Sequence, residues 1–252
     1  MQMKHWNWPG ALLAAALLFG TAIAADPETS KPKIGVISAS GCYFISPTEE
    51  DGKKALRLDE ICDAGLDEAW EAYLGELLAE QGIYEPAPVS IDRDGIRAVL
   101  HDEPSTDPMY PPQFDLKEQL PFFAKVAADN EVDYLLLLRA DGNRLNNGFW
   151  MNHSGIMRRP FGRVPVLYYS AEMILLDASN GKKIKAGPVK GPYTGDLASF
   201  PHKKLDKSMK GRGMGDFSAE ERADMISELD VLAKSALKRT LPKIVRKKRR
   251  RR

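Results

Sequence analysis

Apolar and polar positions alternate along this chain in two distinct periods. Leu66, Ala69, Trp70, Tyr73, Leu74, Leu77 and Leu78 follow i, i+3, i+4, i+7 spacing. That predicts an amphipathic helix over 66–81, with Gly82 as its C-cap. Ser218-Ala-Glu-Glu221 reads as a capping box. The helix it opens carries Ile226, Leu229, Leu232, Ala233, Ala236, Leu237 and Leu241 on one side, and Pro242 is expected to end it. A third helix is predicted over 114–130, with Pro121 either breaking it or opening its second half, and a short one, capped by Asp92 or Asp94, through Leu100.

Strand patterns fall between these helices. Lys33–Ser38 and Tyr134–Leu138 are continuous apolar runs, the signature of strands covered on both faces. Tyr84–Ile91, with Pro86 and Pro88, suits only an edge strand or an extended segment. Val166–Asp177 reads as one long strand with Leu167, Tyr169, Ala171, Met173 and Leu175 on one face. Asn180-Gly181 is a hairpin signal, and Lys183–Val189 is the returning partner. Segments 39–63, 101–112, 141–165 and 197–217 read as loops. The order is β-α-β-α-α-β, then a hairpin, then a terminal helix. It predicts an α/β (α+β) domain over 33–241, one mixed sheet of about four or five strands with helices packed on it.

The amino terminus has a different grammar. Lys4 precedes the apolar run Gly10–Ile23, then Ala22-Ile23-Ala24 and the polar Asp26. That is the layout of a secretory signal peptide, cleaved near Ala24 or Ala25. No cysteine stands at that position, so no lipid attachment is expected. The Ala-rich cleavage site suits a bacterial envelope and predicts a periplasmic protein.

Composition adds a charge asymmetry. The chain is 43% hydrophobic and 28% charged, which excludes collagen-like, disulfide-dense and fully disordered classes. Its net charge of +1 conceals seven consecutive basic residues, Arg246, Lys247, Lys248, Arg249, Arg250, Arg251 and Arg252. Removing these and Lys4 from the 36 Lys and Arg leaves 28 against 35 Asp and Glu, so the body carries about −7. The segment 242–252 is expected to be a disordered basic tail. It reads either as contact with an anionic envelope surface or as a solvated tail attracted to its own acidic body. Export argues against nucleic acid as its partner.

Cys42 and Cys62 are the only cysteines. In an oxidising compartment two cysteines at this spacing are expected to pair, a bridge that contributes on the order of 3 kcal/mol; the alternatives are a reactive Cys42 or a metal site. No histidine stands at ligand spacing, so neither a metal nor a cofactor is expected. Ser38-Ala-Ser40-Gly41-Cys42 follows a strand but lacks a G-x-S-x-G elbow, and reads as a small-residue turn. Gly211-Arg-Gly213-Met-Gly215 follows no strand and reads as a flexible approach to the last helix rather than an anion cradle. The remaining candidate is Asn147–Gly155. Phe149, Trp150 and Met151 interrupt a polar, Gly/Asn-rich stretch, flanked by Arg158, Arg159 and Arg163. They form either a partner-binding tip or a lid folded on the sheet.

Three segments carry a resemblance to a known group. Lys33-Ile-Gly-Val-Ile-Ser38 is followed by the helix around Trp70–Leu78. Ala127–Leu137 runs from an alanine-rich helix into a buried strand. Ala171–Asp177 leads into Asn180-Gly181-Lys182. Over about Lys33–Leu241 this order resembles the envelope domain of the TolB amino-terminal domain and CsgG-like secretion accessory proteins. The resemblance implies a non-catalytic assembly, scaffolding or secretion-accessory role with an envelope protein as partner. The competing expectation is a periplasmic enzyme or small-ligand binder with a pocket between loops 39–63 and 141–165.

Overall fold

The computed structural model describes residues 30–50, 53–100, 116–140, 143–144, 150–151, 153–158, 164–191 and 201–246. Residues 1–29, which include the predicted signal peptide, and residues 247–252 of the basic run lie outside these.

The strands are β1 (Lys33–Ala39), β2 (Tyr43–Glu50), β3 (Lys53–Glu60), β4 (Glu85–Ala87), β5 (Tyr134–Arg139), β6 (Asn143–Arg144), β7 (Trp150–Met151), β8 (Ser154–Arg158), β9 (Pro165–Tyr168), β10 (Glu172–Asp177), β11 (Lys182–Pro188) and β12 (His202–Lys204). The helices are α1 (Leu66–Gln81), α2 (Arg93–Leu100), α3 (Leu116–Asp129) and α4 (Ala219–Val245). The mixed α/β class is as expected. The strands, however, form two five-stranded sheets and a two-stranded ribbon, β6-β7, rather than one sheet.

The first sheet has the order β11-β10-β5-β1-β4. β1 is parallel to both β4 and β5, while β10 runs antiparallel to β5 and to β11. Strand periodicity splits its side chains between two cores. Ile34 and Val36 of β1, Leu136 and Leu138 of β5, and Met173 and Leu175 of β10 join α1 and α4 on one face. Ile37, Leu135, Leu137, Ile174 and Leu176 join Ile96, Leu100, Phe123 and Ala127 of α2 and α3 on the other. This is why the run Leu135–Leu138 is apolar throughout: both of its faces are covered.

The second sheet, β12-β9-β8-β2-β3, draws strands from three expected loops, 39–63, 141–165 and 197–217, the last supplying β12. Segment 39–63 is largely the hairpin β2-β3, with Glu50 paired to Lys53 and Tyr43 to Glu60. The signal was present in Asp51-Gly52, the same kind of turn dipeptide as Asn180-Gly181. Part of segment 141–165 is β8, which pairs in parallel with β2 through Phe44–Ser154 and Ile45–Gly155. The expected long strand over Val166–Asp177 is also two strands, β9 in one sheet and β10 in the other. The crossover keeps the two-residue period: Leu167, Tyr169, Ala171, Met173 and Leu175 all enter the same core.

Two prolines do not end their helices. α4 runs through Pro242 to Val245, so 242–245 are helix rather than tail. Ile244 and Val245 are buried, and continuing the helix keeps them on the side of Leu237 and Leu241. The hydrogen bond Pro242 cannot make belongs to the carbonyl of Lys238, an exposed residue. α3 likewise passes through Pro121. The start of α4 is the expected box: the Glu221 N–H donates to Ser218 Oγ at 3.2 Å, and the Ser218 N–H to Glu221 Oε2 at 2.8 Å. α1 ends at Gly82, whose φ of 64° needs a residue without Cβ strain.

Candidate functional site

In sheets with parallel strands, ligands are bound beyond the carboxyl ends of the strands. Here that place is the end of β1 and the bend after it, Ser38-Ala39-Ser40-Gly41, against the first turns of α1. Asp67 is only 2% exposed and is the second residue of α1. Its Oδ1 accepts from Ser38 Oγ at 2.6 Å, from the Ser40 N–H at 2.9 Å and from the Gly41 N–H at 2.9 Å. Its Oδ2 lies 3.9 Å from Arg97 Nη2. One turn further, Glu71 accepts from the Ser38 N–H at 2.7 Å and from both Arg93 terminal nitrogens, at 2.7 and 2.5 Å. Glu68 adds a second carboxylate to Arg93 Nε at 3.2 Å.

Gly41 makes this approach geometrically possible. A Cβ there would stand 2.7 Å from Leu66 Cβ and 3.0 Å from the Asp67 backbone nitrogen. Behind the turn, Tyr169 places its hydroxyl 3.5 Å from Ser40 Oγ and stacks edge-on against Trp70, at 5.1 Å. Trp70 Nε1 in turn donates to Asp230 of α4 at 2.9 Å. At the end of β5, Arg139 pairs with Glu172 of β10 at 2.9 Å.

The electrostatics follow from burial. Burial pushes the Glu71 carboxyl above its ordinary value, outweighing the Arg93 guanidinium and the Ser38 N–H that pull it down. Burial also pushes the Tyr169 phenol up. These groups are therefore engaged with one another: Ser38 spends its proton on a carboxylate with no histidine between them, and Ser38, Ser40 and Asp67 are all buried. The arrangement ties β1, α1 and α2 together at the position where this class of sheet elsewhere opens a ligand site. Sequence reasoning read 38–42 as a turn, whereas Ser38 and Ala39 are the last residues of β1 and only 40–42 bend away; it also missed the anchor. The available signal was the stripe Asp67, Glu71, Leu74, Leu78, in which two acids lead an otherwise apolar helix face.

The expected disulfide is present, linking Cys42 and Cys62 with Cα atoms 4.1 Å apart. It closes the open end of the β2-β3 hairpin, where the Ile61 N–H also donates to the Cys42 carbonyl at 2.7 Å. The three-residue helical turn Cys62–Ala64 then leads directly into α1. The bridge thus holds the hairpin beside the Ser40-Gly41 turn. Glu60 lies within 4.8 Å of both sulfurs, but bridged sulfurs carry no thiolate to offer a metal.

The other candidates are dispersed. Trp150 and Met151 form β7, paired with Arg144 and Asn143. Arg158 ends β8 in the second sheet, opposite Pro165. Trp150 and Arg158 therefore occupy different sheets. Phe149, Arg159 and Arg163 lie outside the described residues. Of the basic run only Arg246 is described, exposed at the end of α4. Gly213 and Gly215 are sites of close packing: a Cβ would stand 2.9 Å from Ser46 Cβ and 2.4 Å from Arg57 Nη2, respectively. The Met214 N–H donates to Ser46 Oγ at 3.0 Å, and Ser46 to Asp59 at 2.7 Å.

No family model and no curated protein matches this chain, so the TolB and CsgG resemblance has no family match behind it. Two solved structures align over most of its length. Lipoprotein GNA1162 from Neisseria meningitidis is 11% identical, over 79% of this chain and 94% of its own, with a TM-score of 0.34. Protein XCC0632 from Xanthomonas campestris, described under the family model DUF330, is 9% identical, over 87% of this chain and 92% of its own, with a TM-score of 0.24. Alignments this loose carry no argument about activity.

Proposed function

We propose that this chain is a non-catalytic accessory or scaffolding protein of the bacterial cell envelope, exported to the periplasm and acting through protein–protein contacts. The observation that carries this reading is the Asp67 clamp. The carboxyl end of β1, where a ligand would enter, is occupied by a turn whose donors are satisfied by Asp67 and Glu71. Export is supported by the leader and by the disulfide, which belongs in an oxidising compartment. The competing reading placed a pocket between two loops. Those segments are instead laced together by the β2-β8 pairing, which weakens it.

In this proposal Phe149, Trp150, Met151, Arg158 and Arg159 contact an envelope protein, and Arg246–Arg252 tether the chain to an anionic surface. The test is cross-linking in living cells followed by affinity purification, comparing the intact chain with one in which Phe149, Trp150 and Met151 are replaced by serine. Loss of one specific envelope protein with the replacement supports the reading; identical captures overturn the contact assignment. For the tether, deletion of Arg246–Arg252 should reduce sedimentation with envelope fragments at low salt, and unchanged sedimentation removes it.

A further inference from the structure

The second sheet ends at β3: among the described residues no strand pairs on its outer side. We infer that this edge is a self-association surface, on which a second copy of the chain adds its own β3 antiparallel to form a two-fold dimer with a continuous ten-stranded sheet.

The register follows from the hairpin. β2 and β3 are joined through two residues, so the flanking pair Glu50–Lys53 is hydrogen-bonded and every second pair after it is too. Pro47, which has no N–H, sits opposite Leu56 at a non-hydrogen-bonded position, as this parity demands. The backbone groups of Lys54, Leu56, Leu58 and Glu60 therefore point away from β2, toward the free edge. Two copies of that edge pair antiparallel only by matching these four residues among themselves. The central register sets Lys54 opposite Glu60 of the second copy, Leu56 opposite Leu58, Leu58 opposite Leu56 and Glu60 opposite Lys54.

This order, cation, leucine, leucine, anion, is complementary to its own reversal. It yields two opposite-charge pairs flanking two leucine pairs. Leu56 is 40% exposed, one of few large apolar side chains so placed, and Glu60 is exposed beside it. The two-fold axis passes between the two Arg57 residues, a like-charge contact. Each Arg57 is neutralised by its own Asp59, bonded at 2.7 Å. The other long edge, β11, shows the opposite pattern. Lys182, Lys183 and Lys185 would set like charges against any second copy, the usual device for blocking edges.

The contact is small, so association is expected in the micromolar range rather than tighter. The test is sedimentation equilibrium of the protein purified as cells process it, from about 1 to about 300 μM, a range chosen to bracket such weak contacts. Glu60 lies opposite Tyr43 within the hairpin, so Glu60→Lys removes no internal charge pair of the ladder. It sets two lysines against each other at both ends of the interface and should raise the dimer dissociation constant roughly ten-fold or more. Adding Lys54→Glu restores opposite charges across the interface, and Glu49→Lys is made with it because Glu49 pairs with position 54 inside the hairpin; together they should bring the constant back to within about three-fold of the original, since reversed pairs of this kind are near-equivalent. Far-ultraviolet circular dichroism confirms that each variant is folded. A monomer throughout, a dimer unchanged by Glu60→Lys, or a loss that Lys54→Glu with Glu49→Lys does not repair overturns the inference.

Discussion

Replacing Asp67 by alanine removes the acceptor of three buried hydrogen bonds while leaving the donors in place. The Ser40 and Gly41 N–H groups then lose their acceptor, and each orphaned buried donor costs about 1–3 kcal/mol. Ser38 Oγ has an alternative 3.5 Å away in Ser40 Oγ, so its loss is smaller. Arg97 keeps Asp94, 3.3 Å away, and loses only a distant counter-charge. The expected destabilisation is therefore about 3–5 kcal/mol, a large share of the ~5–15 kcal/mol that holds a domain together. Asp67→Asn keeps an oxygen facing the two N–H groups and loses charge assistance, at a cost of about 1–2 kcal/mol. Urea denaturation with the disulfide intact, followed by tryptophan fluorescence, measures both. A midpoint shift equivalent to less than ~1 kcal/mol for Asp67→Ala, below the cost of one orphaned donor, would refute the clamp. Equal losses for both variants would show that the charge matters and the hydrogen bonds do not.

The other predictions concern packing, the bridge and acid. Gly155→Ala sets a Cβ 2.1 Å from the Ile45 carbonyl oxygen, so β8 must leave β2; thermal unfolding should show a loss of about 3 kcal/mol, and a wild-type melting temperature would contradict the pairing. Cys42→Ser with Cys62→Ser should cost about 3 kcal/mol in chemical denaturation, and the wild-type protein should yield no free thiol on labelling under denaturing conditions. Glu221 is held at about 2 by Arg212 and then by the Ser218 N–H. Because the folded value is depressed, its contribution is present above the ordinary carboxylate value and lost as pH falls toward 2. Glu221→Gln should therefore flatten the acid limb of a melting-temperature profile between pH 4.5 and 2, and an unaltered limb would dissociate Glu221 from acid sensitivity.

Much of the fold was legible because it is written locally. The bounds of α1, its Gly82 cap, the Ser218–Glu221 box and the doubly buried β1 and β5 each follow from periodicity or from one turn residue. The single inward face of Leu167, Tyr169, Ala171, Met173 and Leu175 was equally readable. The disulfide needed only two cysteines and the expectation of an oxidising compartment.

What the sequence could not decide was which strands share a sheet. Periodicity says which side of a strand is buried, never which neighbour it pairs with, so β9 and β10 read as one element although they belong to two sheets. The hairpin β2-β3 was hidden by charge, because Glu49 and Glu50 face Lys54 and Lys53 across the ladder and give no apolar pattern. Pro242 shows tertiary packing overriding a local stop signal, since burying Ile244 and Val245 outweighs one missing hydrogen bond at the carbonyl of an exposed residue. The Asp67 clamp is the deepest case. An acid near the start of a helix is ordinary in sequence, and only the folded chain brings the Ser40 and Gly41 N–H groups, 27 and 26 residues away, onto one carboxylate oxygen. Local patterns are set by covalent neighbours and solvent, so the sequence by itself determined the helices, their caps and the buried strands. Long-range partners are set by which surfaces fit once those elements collapse, and only the tertiary structure decided them.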